Sequence, residues 1–252
     1  MARHKPAAQG GYQRGEDTRA RIVEAAVRVF GEKGYAAAST RDIASAAGVN
    51  APALQYYFEG KEGVYLACLE QLIEHLWQQM GSTLELAEAA LVDAQAEDGR
   101  LIDLVLNILD AVISMLEDTP EHLGWRGFLD CQHAGLGPDS AKALFETRFK
   151  SRLASVIRGL IARLTGFPPG DERTVIHTMA LFSQGLAFRA QRSTLLRALG
   201  WPGIGAREMG LLKEVVLAQA RFSLEGLVGQ KTERDRLPSG AERGVSGGRG
   251  DA

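Results

Sequence analysis

Cysteine is scarce. The 252 residues hold two, Cys68 and Cys131, far apart and without metal-ligand spacing around either. That excludes a disulfide framework and fits a reducing cytoplasm. Alternating apolar–polar runs are absent and β-branched residues are sparse, so no sheet is expected. Charge interrupts every apolar run well before the ~18 residues that a membrane span needs. The stretch MARHKPAAQGGYQRGEDTR has no apolar h-region, so no secretory signal is expected either. An excess of one charge sign is also lacking: 29 Lys and Arg face 31 Asp and Glu, a formal net charge of -2. The chain is no polycation, and any contact with nucleic acid must come from a local basic surface. No Gly-rich loop follows a strand pattern, and no His/Cys/Asp/Glu group has metal spacing. Neither a cofactor nor a metal is expected.

What remains is a 45% apolar, helix-patterned chain, long enough for a real core. The expected fold is all-α: an N-terminal three-helix helix-turn-helix domain and a larger helical bundle. Residues 1–15, with Arg3, Lys5 and Arg14, read as a flexible basic arm. Residues 16–62 read as the helix-turn-helix domain, 63–229 as the bundle, and 230–252, nearly free of apolar side chains, as a disordered tail. Helices are expected near 16–33, from 39, from 50 to about 58, and over 61–80, 101–117, 139–164, 171–199 and 207–228. Shorter pieces are expected between 120 and 133. The acidic stretch 87–99 reads as a loop or frayed end.

Ile22, Ala26 and Phe30 fall on one helical face, and Gly34 stands where a left-handed cap is wanted. Ser39-Thr40-Arg41-Asp42 is a capping box. Ile43, Ala44, Ala47 and Val49 let two helices pack closely around Gly48, and Asn50 caps the next helix, with Pro52 tolerated in its first turn. That helix, Ala51-Pro52-Ala53-Leu54-Gln55-Tyr56-Tyr57-Phe58, puts small residues first, so it can approach a major groove closely. Ala51, Pro52 or Ala53 can touch a thymine methyl, and Gln55 can pair with a base edge, adenine being the best match. Tyr56, Tyr57 and Lys61 can reach phosphates, and Thr40 and Arg41 sit at a helix N-terminus suited to another. Leu54 and Phe58, i and i+4, belong to the core.

The ordered set Thr18-Arg19, Ile22, Ala26, Phe30, Gly34, Ser39-Thr40, Ile43-Ala44, Gly48-Val49, Leu54, Tyr56, Phe58, Lys61 and Glu62 resembles the TetR family of transcriptional regulators. It covers about a fifth of the chain. Phe58-Glu59-Gly60-Lys61-Glu62-Gly63-Val64-Tyr65, Ser183 to Ala190 and Leu199-Gly200-Trp201 are similar to the subgroup with a CecR-type C-terminal domain. The resemblance implies a cytoplasmic, ligand-responsive DNA-binding regulator, a repressor rather than an enzyme, that binds a palindromic double-stranded operator as a homodimer. It implies DNA contacts at Thr40, Arg41, Ala51, Pro52, Ala53, Gln55, Tyr56, Tyr57 and Lys61. The chain departs from the pattern at Gln55 and Tyr57, where many members have Tyr and His. The first departure bears on which operator is read, not on how.

The last two long helices carry wide apolar faces: Val175, Met179, Phe182, Leu186 and Leu195 on one, Met209, Leu212, Val216, Ala220 and Leu224 on the other. They are expected to form a four-helix dimer interface, against the plainer reading that they close the intrachain core. By the same resemblance, an unidentified small-molecule effector is expected among Met115, Trp125, Phe128, Phe149, Phe182 and Phe188 as apolar lining, with Gln132, His133, Arg148 and Gln184 as polar anchors. Cys131 and His133, i and i+2, do not face each other on a helix, so Cys–His catalysis is not expected.

Overall fold

Backbone caps in the N-terminal region fall where the residues call for them. The computed structural model describes residues 8–236: eleven α-helices, one π-turn and no strand among the described residues. The first helix, α1, spans Ala8–Ala37, with Gly34 leaving helical geometry at φ 73° and ψ 165°. Then come α2 (Thr40–Ala47) and α3 (Ala51–Tyr57). Ser39 Oγ accepts from Asp42 N at 3.1 Å, and Asp42 Oδ2 accepts from Ser39 N at 2.9 Å, closing the capping box. Gly48 takes the left-handed conformation, φ 65°, and Asn50 Oδ1 accepts from Ala53 N at 2.8 Å. Ile22, Ala26, Phe30, Ile43, Ala44, Leu54 and Phe58 are all buried.

Beyond residue 60 several expected boundaries move. The helix α4 spans Gly60–Val92, well past Met80, because Leu84, Ala87 and Ala90 continue its buried stripe among good helix formers. Only residues 93–97 link it to α5 (Asp98–Ser114). Pro120–His133 is one helix, α6, not several pieces; Thr119 Oγ1 caps His122 N at 3.1 Å and Pro120 fits the first turn. The expected single helix over 139–164 is α7 (Asp139–Phe145), a π-turn over Glu146–Lys150, and α8 (Ser151–Thr165). That over 171–199 breaks at Gln191 into α9 (Glu172–Ala190) and α10 (Arg192–Leu199).

The last helix, α11, spans Ala206–Arg236, so helix continues past residue 230, where the tail was expected to begin. Lys231 Nζ pairs with Asp98 at 2.9 Å, and the Arg234 guanidinium lies over the Phe167 ring at 4.2 Å. Residues 8–15, expected in a flexible arm, likewise belong to α1. The rest of the arm, with Arg3 and Lys5, and the tail from 237 onward lie outside the described residues, as do the side chains of Arg14, Glu121 and Leu186.

Three ion pairs set α11 antiparallel to α5: Lys213–Asp110 at 3.0 Å, Arg221–Asp103 at 2.6 Å and Lys231–Asp98 at 2.9 Å. Between them Met209, Leu212, Val216, Ala220 and Leu224 are buried within the chain. One apolar core runs from the N-terminal head through α4, by way of Tyr65, Cys68, Leu69 and Leu72, into the bundle. No helix among the described residues is long and apolar enough to cross a membrane.

Candidate DNA interface and bundle cleft

The amphipathic pattern of α3 sorts its side chains into two sets. Leu54 is fully buried and Phe58 nearly so, fixing the helix to α1 and α2. Ala51, Pro52 and Gln55 are exposed, Ala53 is half-buried, and Tyr56 is 83% exposed. Its hydroxyl, carried on a ring that stands in solvent, is free to meet a partner from outside the chain. Its ring meets that of Tyr57 edge to face at 5.2 Å. Arg41 is exposed and Thr40 half-buried at the N-terminus of α2.

Two of the candidate contacts are turned inward. Tyr57 is half-buried, and its hydroxyl lies beside Gly15 of α1, where a Cβ would be 3.8 Å away. Lys61 donates to Tyr35 O at 2.8 Å, Ala38 O at 3.1 Å and Ala36 O at 3.5 Å, and its ammonium stands 4.4 Å from the Tyr35 ring centroid. These are the carbonyls left open where Gly34 ends the regular helix, and a cation there is doubly favoured. Lys61 ties α4 to α1. At the other corner Lys33 Nζ pairs with Asp42 at 2.8 Å. The Lys33 hydrogen bond first, then those from Ser39, hold the Asp42 carboxyl down at about 2. The head is thereby clamped to itself on two sides.

The apolar faces expected at a dimer interface divide differently. The α11 residues named from sequence close the intrachain core. Its other face exposes Leu211, Val215 and Phe222, the last 80% exposed. On α9, Ile176 and Met179 are exposed, while Val175 and Phe182 are half-buried. Leu195 is half-buried on α10. The period-3.6 pattern found the apolar helices but could not say which of two apolar stripes faces inward.

The effector residues expected from sequence do not gather in one place. Met115 and Trp125 line a narrow cleft with Leu72 and His75 of α4, the face of α6, and Arg189 and Arg192. Its free space is about 30 Å³. Phe128 lies fully buried behind it, 6.2 Å from Trp125. Gln132 points away and accepts from Tyr65 Oη at 3.1 Å. His133 is exposed, its Nδ1 2.9 Å from Leu129 O. Arg148 and Phe149 lie near Trp77: Trp77 Nε1 donates to Arg148 O at 3.3 Å, and its ring meets Phe149 at 5.1 Å. Phe182 and Phe188 are half-buried on α9, and the buried Gln184 Oε1 has no partner among the described residues.

Polar groups that the sequence reading missed stand among the apolar walls of the cleft. Arg126 pairs with Asp118, and so does Arg192 at 2.5 Å, donating also to Leu116 O at 3.0 Å. Ile204 N donates to Asp118 Oδ2 at 2.7 Å. Burial pushes the Asp118 pKa up, but the Ile204 N–H and the two guanidinium groups outweigh it and hold the carboxyl below its usual range. Arg189 pairs with Asp130 at 2.5 Å. The spacing 122, 125, 126, 129 puts the α6 contributors on one helical face.

The opposite face of α6 packs on α1. Gly31 and Gly127 cross so closely that a Cβ on Gly127 would lie 2.9 Å from Gly31 O. Cys131 Sγ donates to Phe30 O at 3.6 Å. One helix therefore borders both the cleft and the head.

Residues 22–68 match the family described as bacterial regulatory proteins, tetR family, and residues 101–227 match the C-terminal domain of the HTH-type transcriptional dual regulator CecR. The chain is 32% identical over 215 residues to the HTH-type transcriptional dual regulator CecR of Shigella flexneri, covering 85% of this chain and 94% of that protein. Among solved structures, SmeT in complex with triclosan superposes with TM-score 0.53 at 20% identity, over 81% of this chain and 91% of that one. AibR in complex with isovaleryl coenzyme A and operator DNA superposes with TM-score 0.52 at 14% identity, over 69% and 86%.

Proposed function

The chain belongs to the TetR family of bacterial regulatory proteins and carries a CecR-type C-terminal domain, and we propose that it represses transcription from a palindromic operator until a small molecule enters its bundle. It is a transcriptional regulator by family, not an enzyme. The observation that carries the reading is the outward presentation of α3, with Leu54 and Phe58 anchoring it while Gln55 and Tyr56 stand in solvent.

One seven-residue helix reads few bases. Two copies related by a two-fold axis, about one DNA turn (~34 Å) apart, read both half-sites. The exposed apolar faces of α9 and α11 suit that pairing, since a bare Phe222, Met179 and Ile176 are costly in water and cheap in a helix bundle. Gln55 reads a base edge; Ala51, Pro52 and Ala53 approach the groove; Tyr56, Thr40 and Arg41 meet phosphates. Tyr57 and Lys61 act through α1, placing the head rather than touching DNA first.

Release is a population shift. A ligand that favours a state with the two heads wrongly spaced lowers DNA affinity by its differential affinity for the two states, typically ~1–3 kcal/mol. The α6 helix, with the cleft on one face and α1 on the other, joins α4 as the transmitting element. AibR, solved with both a ligand and operator DNA, and SmeT, solved with triclosan, have the same fold, which is compatible with this arrangement.

Footprinting on DNA flanking this protein's own coding region tests the reading. A protected palindrome is expected, with Gln55→Ala relaxing preference at one position per half-site and Tyr56→Phe weakening all sequences alike. Unchanged base preference in Gln55→Ala would remove the readout assignment, and absence of any sequence-selective binding would remove the regulator.

A further inference from the structure

Among the described side chains, the cleft between α4, α5, α6 and the α9–α10 junction holds more positive charge than it pairs. Arg126, Arg189 and Arg192 face two carboxylates among the described side chains, Asp118 and Asp130, leaving one cation in excess. Arg126 and Arg192 share Asp118 between them. All three arginine side chains are at least three-quarters shielded from solvent. Taking a guanidinium out of water is unfavourable unless it is paired, and two on one carboxylate are underpaired.

Their hydrogen bonds occupy one nitrogen of Arg126, one of Arg189 and two of Arg192. The remaining N–H donors belong to planar forks shaped for oxyanions. The free space, about 30 Å³, admits a water-sized group and nothing larger without opening. At its wall stand Met115 and Trp125, the latter stacked on His75 with ring centroids 6.5 Å apart.

We propose that this cleft is an anion subsite, taking the carboxylate of a small monoanionic organic acid on Arg126 and Arg192 while Met115 and Trp125 pack on its apolar body. The one cation in excess among the described side chains matches one negative charge; a phosphate dianion would over-neutralise it and reverse the local sign. The proposal rests on the reading of the bundle as an effector domain, and gives that effector its chemical class. Because the free space holds only a water-sized group, the acid must spread the α6 face away from α9 and α10 to enter.

The experiment titrates the full-length chain in a calorimeter with two acid–amide pairs, 1-naphthoate with 1-naphthamide and octanoate with octanamide, and with inorganic phosphate. At least one acid is expected to bind tenfold or more tighter than its amide and than phosphate. Arg126→Gln and Arg192→Gln are expected to bring that acid to the level of its amide while leaving the amide unchanged. Acids and amides binding alike, no acid binding at millimolar concentration, or phosphate binding more tightly than both acids would overturn the proposal. If a glutamine variant fails to fold, the acid–amide comparison on the unaltered protein decides alone. Operator retardation by the ligand-free chain, measured in parallel, keeps the two readings apart. Intact DNA binding without acid preference overturns only the subsite, and acid preference without DNA binding overturns only the regulator.

Discussion

Two glycines three residues apart in α6 respond oppositely to an added methyl group. Gly124 is exposed, and a Cβ there meets nothing within 4 Å. At Gly127 a Cβ would stand 2.9 Å from Gly31 O and 3.0 Å from Gly31 Cα. Those atoms are backbone of α1 and cannot swing aside. Alanine is favoured over glycine in a helix interior by ~1 kcal/mol, so Gly124→Ala is expected to stabilise by about that much. Gly127→Ala gains the same propensity but forces the helices apart, and overpacking of this kind costs ~1–3 kcal/mol. The propensity contribution cancels between the two variants, so Gly127→Ala should fall about 1–3 kcal/mol below Gly124→Ala. Urea denaturation at one fixed protein concentration measures the gap, the concentration being held because a dimer's stability depends on it. In a chain of this size each kcal/mol also moves the melting temperature by ~2–4 °C. Equal stabilisation by both substitutions would refute the close α1–α6 crossing.

Three further outcomes are expected. Phe222→Glu should leave helicity intact but give a monomer in light scattering, while Leu212→Ala, buried on the other stripe of α11, should lose ~2–5 kcal/mol of stability; a dimeric Phe222→Glu would move the interface elsewhere. Asp42 ionises at about 2 in the folded chain, below its ordinary 3.8, so its contribution is complete above pH 4 and fades as pH falls toward 2. The stability difference between wild type and Asp42→Asn should therefore shrink over that interval, and a difference constant from pH 5 to pH 2 would contradict the Lys33–Ser39 pairing. Lys61→Met should lower the melting temperature by freeing the α1 carbonyls as well as weakening DNA binding; lost DNA affinity at unchanged stability would return Lys61 to direct phosphate contact.

The head was legible because its signals are local. A capping box, a left-handed glycine and an Asn cap each act within four residues, and each appears where the chain calls for it. The fold class followed from pattern alone. The breaks at Gln191 and at the Glu146–Lys150 π-turn carry no proline or glycine, so no local breaker announces them. The far end of α4 was hidden by its acidic composition, although glutamate and alanine favour helix. The cleft was harder still. Asp118 receives partners from residues 126, 192 and 204, separations at which sequence has no period to read. Apolar candidates such as Phe128 and Phe149 were visible as hydrophobes, but only the packed chain shows that they are core.

Coupling between cleft and head depends on how stiff each part is. The head is closed by Lys61 on the α1 carbonyls and by Lys33 on Asp42, so it moves as a unit. The α1–α6 crossing has no slack at Gly31 and Gly127, and dense interiors transmit displacement instead of absorbing it. On the proposed reading, a body wedged against Met115 and Trp125 spreads α6 from α9 and α10, and a displaced α6 presses on α1. In a single chain that rotates the head as a whole. In a two-fold pair it changes the distance between two α3 helices, the one quantity on which adjacent major grooves are unforgiving. On the proposed reading, a cleft with one excess cation among its described side chains and an α6 seated on α1 without clearance are two ends of the same device, in which a small acid sets the spacing of two reading helices.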